Sequence, residues 1–236
     1  MNKILSIAAI VALLTTLSFA QEGDLKFGIR AGFNLYDLSS GNKEMDKEID
    51  LGMGFGGGIA VNIPLSGSFL SLNPELNFYY RKLLSLSYSD SWNDGEYSYS
   101  ESSDVYINEF ALSVPVMLQI APIDAFYLAA GVQLDFPFST KVHIDYEGQE
   151  DGESYSGSDS EKIKDRVSID FGIALGLGYN ITQNFRADLR CVIGLTSTGI
   201  FTDYDEEYVD GEYIDVKVKD TKSSFNQYGL GLTYFF

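Results

Sequence analysis

Cysteine and histidine are almost missing from this chain of 236 residues, which has one of each, Cys191 and His143. A single cysteine cannot form an intramolecular disulfide, and Cys191 lies in an apolar, strand-like run. A zinc site of the cysteine and histidine type is therefore not expected. One histidine also argues against a Ser-His-Asp hydrolase. No paired Asp and Glu stands out from the acidic loops as a glycosidase site, and we expect no enzyme, no metal site and no cofactor.

Positive charge is scarce as well. The chain has 16 Lys and Arg against 34 Asp and Glu, and its formal net charge is -18. A nucleic-acid partner is not expected, because phosphate contacts need a basic patch. Carboxylate clusters remain candidates for weak divalent-cation binding, although no segment matches the full spacing of a calcium-binding loop.

Only one long apolar run is present, over residues 4–17. It follows Lys3 and is followed by Ser18, Phe19 and Ala20, which is the pattern of a cleaved secretory signal. A membrane-spanning helix needs about 20 residues, so the run is too short for one. We therefore predict a signal peptide over residues 1–20 and one exported domain over residues 21–236.

What the chain does have is a hydrophobic period of two residues. In VSIDFGIALGLG, residues 167–178, every second residue is large and apolar, and those between are small or polar. This alternation is typical of a strand with two different faces. Eight such strands are predicted, over residues 25–36, 51–61, 70–80, 110–120, 126–138, 167–178, 185–195 and 228–236.

The connections between the predicted strands alternate in length. Three are short, NIPLSGS, APIDA and YNITQN, and the other four are long, polar and acidic. Short turns at one end and long loops at the other are typical of outer-membrane barrels. The apolar faces are nearly free of charge, as lipid contact requires, and the other faces suit a narrow interior. We predict an all-β fold, an eight-stranded antiparallel up-and-down transmembrane β-barrel with meander topology.

Aromatic side chains gather at the ends of the predicted strands. Outer-membrane barrels carry aromatic girdles at both membrane interfaces, so these rings are expected to face the interface. We assign to the girdles Tyr36, Tyr79, Tyr80, Phe126, Tyr127, Phe136, Phe138, Tyr179, Phe185, Tyr234 and Phe236.

Several segments resemble the outer-membrane β-barrel domain proteins that are often labelled "porin family" in Gram-negative bacteria. They are LKFGIRAGFNL, FALSVPVMLQI, FRADLRCVIGLTSTGI and the final YGLGLTYFF. The resemblance implies an outer-membrane location among lipid and lipopolysaccharide. It also implies that the last strand, with Tyr234 and Phe236, is the signal read by the barrel-assembly machinery. The family label does not imply a pore, and we expect a monomer.

Five charged residues share the inward parity of the barrel strands: Arg30, Glu75, Arg186, Asp188 and Arg190. Counted from the periplasmic end, Glu75 lies at a height similar to Arg30 and Arg190, so it is predicted to pair with one or both. We interpret the five residues as a structural network that fills and neutralises the barrel core. A gated proton or ion path is the alternative.

Three carboxylates, Glu109, Asp135 and Asp170, also have inward parity but lie nearer the outer mouth. We interpret them as an inward acidic rim of solvated groups. The alternative is an acidic vestibule for a ligand.

The tripeptide Asp-Gly-Glu occurs three times, each time in a long acidic connection. Asp-Gly is favoured in two-residue hairpin turns because both positions tolerate positive φ. The flanking runs EYSYSES and EYIDVKV alternate, so the strands are expected to continue beyond the membrane to hairpin tips. The predicted tip residues are Asp94, Gly95, Asp151, Gly152, Asp210 and Gly211.

These features favour a small outer-membrane barrel with a filled lumen and long acidic extracellular loops, in a structural or surface-interaction role. The loops, rich in tyrosine and serine, are candidates for contact with an extracellular protein or divalent cations. Two alternatives stay open: a narrow channel for small solutes or ions, and a soluble periplasmic binding barrel resembling a lipocalin.

Replacing Glu75 by glutamine tests the proposed network. The substitution removes the carboxylate and leaves buried arginine charge uncompensated, so the folded barrel should lose on the order of 3–5 kcal/mol. The readouts are thermal melting and the gel shift between heated and unheated samples. An unchanged melting transition and gel shift would refute the network.

Overall fold

The computed structural model describes residues 25–39, 49–66, 69–93, 97–150, 153–163, 169–198 and 224–236, together with the backbone of 202–209 and 212–220. Within these ranges, no helix is long and apolar enough to cross a membrane. The chain instead forms the strands β1 Lys26–Ser39, β2 Gly52–Ser66, β3 Leu70–Asn93, β4 Ser98–Ile123, β5 Phe126–Glu150, β6 Glu153–Lys162, β7 Asp170–Asn180, β8 Phe185–Gly194, β9 Thr202–Val209, β10 Glu212–Asp220 and β11 Ser224–Phe235.

Eight of these strands close into a ring. The neighbours run β1, β2, β3, β4, β5, β7, β8 and β11, and β11 pairs with β1 to complete the circuit. Every pairing in the ring is antiparallel, so the predicted eight-stranded up-and-down barrel is confirmed. Closure satisfies the backbone hydrogen bonds of all eight strands where a flat sheet would leave two edges unpaired.

The barrel wall separates apolar from polar side chains by the alternation seen in the sequence. On β1, Phe27, Ile29 and Phe33 are exposed on the outside, whereas Arg30 and Asn34, which directly follow Ile29 and Phe33, are buried inside. The exposed apolar side chains form the lipid-facing belt that a membrane barrel requires. A ring of eight strands leaves an interior just wide enough for side chains to fill.

Part of the aromatic assignment is wrong. Tyr36, Tyr79 and Tyr127 are at most 6% exposed and lie in the interior rather than at a membrane interface. The reason is parity: Tyr36, for example, is on the same side of β1 as Asn34. Phe126, Phe138, Tyr179, Tyr234 and Phe236 are exposed on the outside, as assigned.

Three wall strands extend well beyond the barrel. β3, β4 and β5 have 24, 26 and 25 residues, and their outer parts pair with one another and with β6. The result is a four-stranded antiparallel sheet above one side of the barrel, here called the outer sheet (residues 84–93, 98–107, 141–150 and 153–162). The sheet is continuous with the wall because the same strands form both.

The predicted hairpin tips lie outside the described residues. The strand ends that bracket them are paired, at Asn93 with Ser98, at Glu150 with Glu153 and at Val209 with Glu212. The turn assignment of Asp94, Gly95, Asp151, Gly152, Asp210 and Gly211 therefore stays a prediction.

Inward-facing glycines make room for the large interior side chains. A Cβ added at Gly231 would overlap the guanidinium group of Arg30, and one added at Gly56 would lie 2.6 Å from Cδ1 of Tyr79. Large side chains on some strands therefore occupy the interior space that glycines on other strands leave free.

Adding a side chain at Gly231 should disrupt this packing. Gly231→Val would displace Arg30, and we expect a loss of about 3 kcal/mol in unfolding free energy from overpacking and the lost ion pair. The matched control is Leu232→Val on the lipid-facing side of the same strand, which should cost less than about 1 kcal/mol. Urea unfolding in lipid vesicles measures both, and equal losses would contradict the packing described.

Candidate functional site

Four charged side chains cross the middle of the barrel. Arg30 donates two hydrogen bonds to Asp188, from Nη1 to Oδ2 at 2.5 Å and from Nη2 to Oδ1 at 2.8 Å. Arg190 donates two to Glu75, from Nη2 to Oε1 at 2.7 Å and from Nη1 to Oε2 at 3.0 Å. The Nε atom of Arg30 lies 3.4 Å from Oε2 of Glu75, so the two pairs form one cluster, here called the middle layer.

The middle layer is electrically balanced. It contains two guanidinium groups and two carboxylates, and all four side chains are at most 8% exposed. Asn77 donates a further hydrogen bond to Glu75, and Thr233 accepts one from Arg30. A buried ion pair is tolerated when such additional hydrogen bonds satisfy its remaining polar atoms.

Arg186, assigned by sequence to the same network, lies apart from these ion pairs. Its Nη1 donates a hydrogen bond to Oε1 of Gln119 at 3.3 Å. Its guanidinium carbon lies 4.7 Å from the ring centroid of Phe235 and 5.7 Å from that of Tyr127. Arg186 therefore fills the periplasmic end of the lumen by contacts with an amide and two aromatic rings.

A second charged cluster lies nearer the outer end and is centred on Arg81. Its Nε donates to Oε1 of Glu109 at 2.7 Å, and its Nη1 donates to Oδ2 of Asp135 at 2.9 Å. Oδ2 of Asp170 lies 3.6 Å from Nη2, and Thr140 donates a hydrogen bond to Glu109 at 2.6 Å. This group, here called the upper cluster, places one guanidinium among three carboxylates.

The interpretation of Glu109, Asp135 and Asp170 as a solvated rim is wrong. The three residues are 0%, 3% and 6% exposed, and each lies within ion-pair distance of Arg81. They are inward, as predicted, but apolar side chains separate them from solvent.

Those apolar side chains form a cap over the upper cluster. The cap consists of Tyr36, Leu38, Leu83, Leu84, Ile107 and Phe225, all of them buried. The guanidinium carbon of Arg81 lies 4.9 Å from the ring centroid of Phe225 and 5.4 Å from that of Tyr36. The cap therefore contacts the charged cluster directly and keeps it away from water.

A chain of amides occupies the level between the two charged layers. Gln133 donates to Gln227, and Gln227 donates to Asn34, each at 3.0 Å. Gln133 also donates to Asp135, which links the chain to the upper cluster. Polar contacts thus continue from the upper cluster through Gln133 and Gln227 as far as Asn34.

Sequence reasoning missed Arg81. The predicted third strand ends at residue 80, one position short of it, although Glu75, Asn77, Tyr79 and Arg81 share one parity. All four are buried in the structure. Extending the alternation by a single residue would have found the cation that the three carboxylates surround.

The described residues offer little for metal or acid-base chemistry. Among them, no group of three or more His, Cys, Asp or Glu side chains is placed to hold a metal ion. His143 stacks on Tyr106 in the outer sheet, with ring centroids 5.0 Å apart and the planes 7° from parallel.

The outer sheet has two chemically different faces, because successive residues of a strand point to opposite sides. The inward face continues the barrel interior, since Leu86 and Val142 on it pack against the cap. The outward face continues the outer wall and carries serines, acids and the basic residues Lys141 and Lys162. On the inward face the register places Tyr88, Asp90, Trp92, Tyr99, Glu101, Tyr146, Glu150, Glu153, Tyr155, Asp159 and Glu161.

Tyr99 and Glu101 are in direct contact on the inward face. The Tyr99 hydroxyl donates a hydrogen bond to the Glu101 carboxylate. This bond stabilises the neutral phenol and raises the pKa of Tyr99 above its ordinary value. The tyrosine therefore stays uncharged and the carboxylate supplies the negative charge.

A closed ring of amphipathic strands, lipid-facing outside and charged inside, defines an outer-membrane β-barrel. The chain belongs to the outer membrane protein beta-barrel domain family, whose model matches residues 19–199. Its location is the bacterial outer membrane, where the exposed belt contacts lipid.

The solved structures to which the chain is similar include the following three. Ail, the attachment invasion locus protein of Yersinia pestis, is 12% identical with a TM-score of 0.41, covering 91% of this chain and 100% of that one. Neisserial surface protein A is 10% identical with a TM-score of 0.43 and the same coverage. A major outer membrane protein from Thermus thermophilus is 14% identical with a TM-score of 0.42, again with that coverage. No curated protein matches the chain.

Removing Arg81 should destabilise the barrel more than removing any one of its partners. Arg81→Met would leave three buried carboxylates without their cation, at a cost of about 3–5 kcal/mol. Asp170→Asn should cost much less, because Asp170 is the most distant partner and its loss lowers the excess of negative charge. Urea unfolding in vesicles measures both variants, and a larger loss for Asp170→Asn would contradict the central position of Arg81.

Proposed function

We propose that this protein is a non-conducting outer-membrane barrel that holds the outer sheet at the cell surface for contact with other molecules. The observation that carries the proposal is the filled interior. From the periplasmic end outward, the lumen contains Arg186 with its aromatic neighbours, the middle layer, the amide chain, the upper cluster and the apolar cap. Each level joins side chains from different strands.

Little room for solute is left beside the upper cluster. A space lined by residues such as Asp135 and Asp170 has a volume of about 10 Å³, about that of one water position. An ion would have to pass the cap and then separate paired charges. These features favour a structural barrel over a narrow channel, and the lipid-facing belt disfavours a soluble binding barrel.

The surface role rests on the outer sheet. Three wall strands continue into it, and its aromatic side chains include Tyr88 and Trp92, which are 66% and 57% exposed. Exposed tyrosine and tryptophan are good contact residues in binding surfaces. A contact role of this kind needs no catalytic group, so the proposal is a non-enzymatic one.

The proposal also covers export, membrane assembly and oligomeric state. Residues 1–20 are an export signal, and the final strand with Tyr234 and Phe236 is read by the barrel-assembly machinery. The barrel functions as a monomer, because the closed ring has no unpaired barrel edge to share with a second copy. In the outer leaflet of the membrane it is surrounded by lipopolysaccharide, whose bridging divalent cations meet the acidic loops.

Conductance of the refolded protein in planar bilayers tests the filled-lumen proposal. We expect no stable single-channel steps from the wild-type barrel. An Arg81→Ser, Glu109→Ser, Asp135→Ser triple variant, refolded to the same gel shift, is the matched control with a loosened outer end. Stable wild-type steps whose cation selectivity falls with Glu109→Gln would establish a channel instead.

A further inference from the structure

Aromatic rings and carboxylates alternate along the inward face of the outer sheet. On β3 the order is Tyr88, Asp90, Trp92, and on β4 Tyr99 is followed by Glu101. Residues on one face of a strand repeat about every 7 Å. An extended peptide lying along these strands would place its own alternate side chains at the same spacing.

Two tyrosine rings lie flat against the sheet. Tyr155 is paired with Gly148 and Tyr146 with Gly157, and atoms of each ring lie where a Cβ of the glycine would stand. Glycine at these positions lets the ring rest on the neighbouring backbone, an arrangement that also protects the glycine. The opposite side of each ring stays open, with Tyr146 and Tyr155 40% and 37% exposed.

The charge on this face has one sign. Within the described strands of the outer sheet, the inward face carries acidic residues and no lysine, arginine or histidine. The basic residues of the same strands, Lys141, His143 and Lys162, are on the outward face. The inward face therefore combines the two groups that attract cations, carboxylates and open aromatic rings.

We propose that the inward face of the outer sheet binds an extended, arginine- and lysine-rich polypeptide segment. Its guanidinium and ammonium groups would stack on Tyr88, Trp92 and Tyr146 and pair with Asp90 and Glu101. A lone divalent cation fits less well, because the described carboxylates do not converge into a metal-binding group. A polyanion is repelled by the acidic face. This inference rests on the proposed surface role and specifies the partner.

The test uses the refolded mature barrel in zwitterionic nanodiscs and a fluorescent peptide of alternating arginine and serine. Fluorescence anisotropy should show saturable binding that weakens with salt. A peptide of alternating glutamate and serine, and heparin as a polyanion, should not bind. Absence of arginine-peptide binding, or binding of the glutamate peptide, would overturn the proposal.

Paired variants distinguish peptide binding at the inward face from attraction to the overall negative charge of the protein. Asp90→Asn with Glu101→Gln removes two charges from the inward face, and Asp104→Asn with Glu147→Gln removes two from the outward face. The inward pair should raise Kd about tenfold and the outward pair less than about threefold. Tyr88→Ser with Trp92→Ser should also raise Kd about tenfold without changing net charge. Equal effects of the two double variants that remove charge would show that the binding is non-specific electrostatic attraction.

Separate controls exclude misfolded variants and distinguish failure of the proposed function from failure of the proposed partner. Only variants that keep the wild-type gel shift between heated and unheated samples are compared. A barrel that conducts and still binds through the inward face would refute the non-conducting role alone. A silent barrel that binds no arginine peptide would refute the partner alone.

Discussion

The pairing of guanidinium groups with carboxylates across the lumen is the interaction on which the rest of the structure depends. Arg30 on β1 contacts Asp188 on β8, and Arg190 on β8 contacts Glu75 on β3. These pairs join parts of the wall that are not neighbours in the sheet. They also require space, which inward glycines such as Gly231 provide. The ion pairs, the interior packing and the placement of glycines in the barrel therefore depend on one another.

The two charged layers differ in their balance. The middle layer has equal numbers of guanidinium groups and carboxylates, whereas the upper cluster has three carboxylates around Arg81. Charge in a low-dielectric interior is costly unless it is paired and hydrogen-bonded. The upper cluster therefore depends on one side chain to a degree that the middle layer does not. The cap above it makes that dependence stronger because it keeps water away.

Much of this architecture follows from the sequence by simple alternation. The ring of eight strands, the lipid-facing belt and the inward placement of Glu75 all come from the period of two. Alternation cannot show where it is interrupted, and the β3–β4 register shifts between Lys82 and Leu84. Leu83 and Leu84 are both buried there, so the cap and the burial of Glu109 were not predictable. The inward orientation of Tyr36 follows from its parity with Asn34, which decides its side of the wall although it lies near a strand end.

The continuity of wall and outer sheet has a mechanical consequence. From Leu84 to Asn93, β3 projects about 30 Å beyond the capped lumen without a break in the strand. A pull on the sheet tip along the strands loads many interstrand hydrogen bonds in shear at once, instead of opening them one after another. The same tension reaches Arg81, which also lies on β3. Arg81 forms ion pairs with residues on three other strands, β4, β5 and β7. Tension applied at the sheet tip would therefore be shared between the interstrand hydrogen bonds and the ion pairs of Arg81.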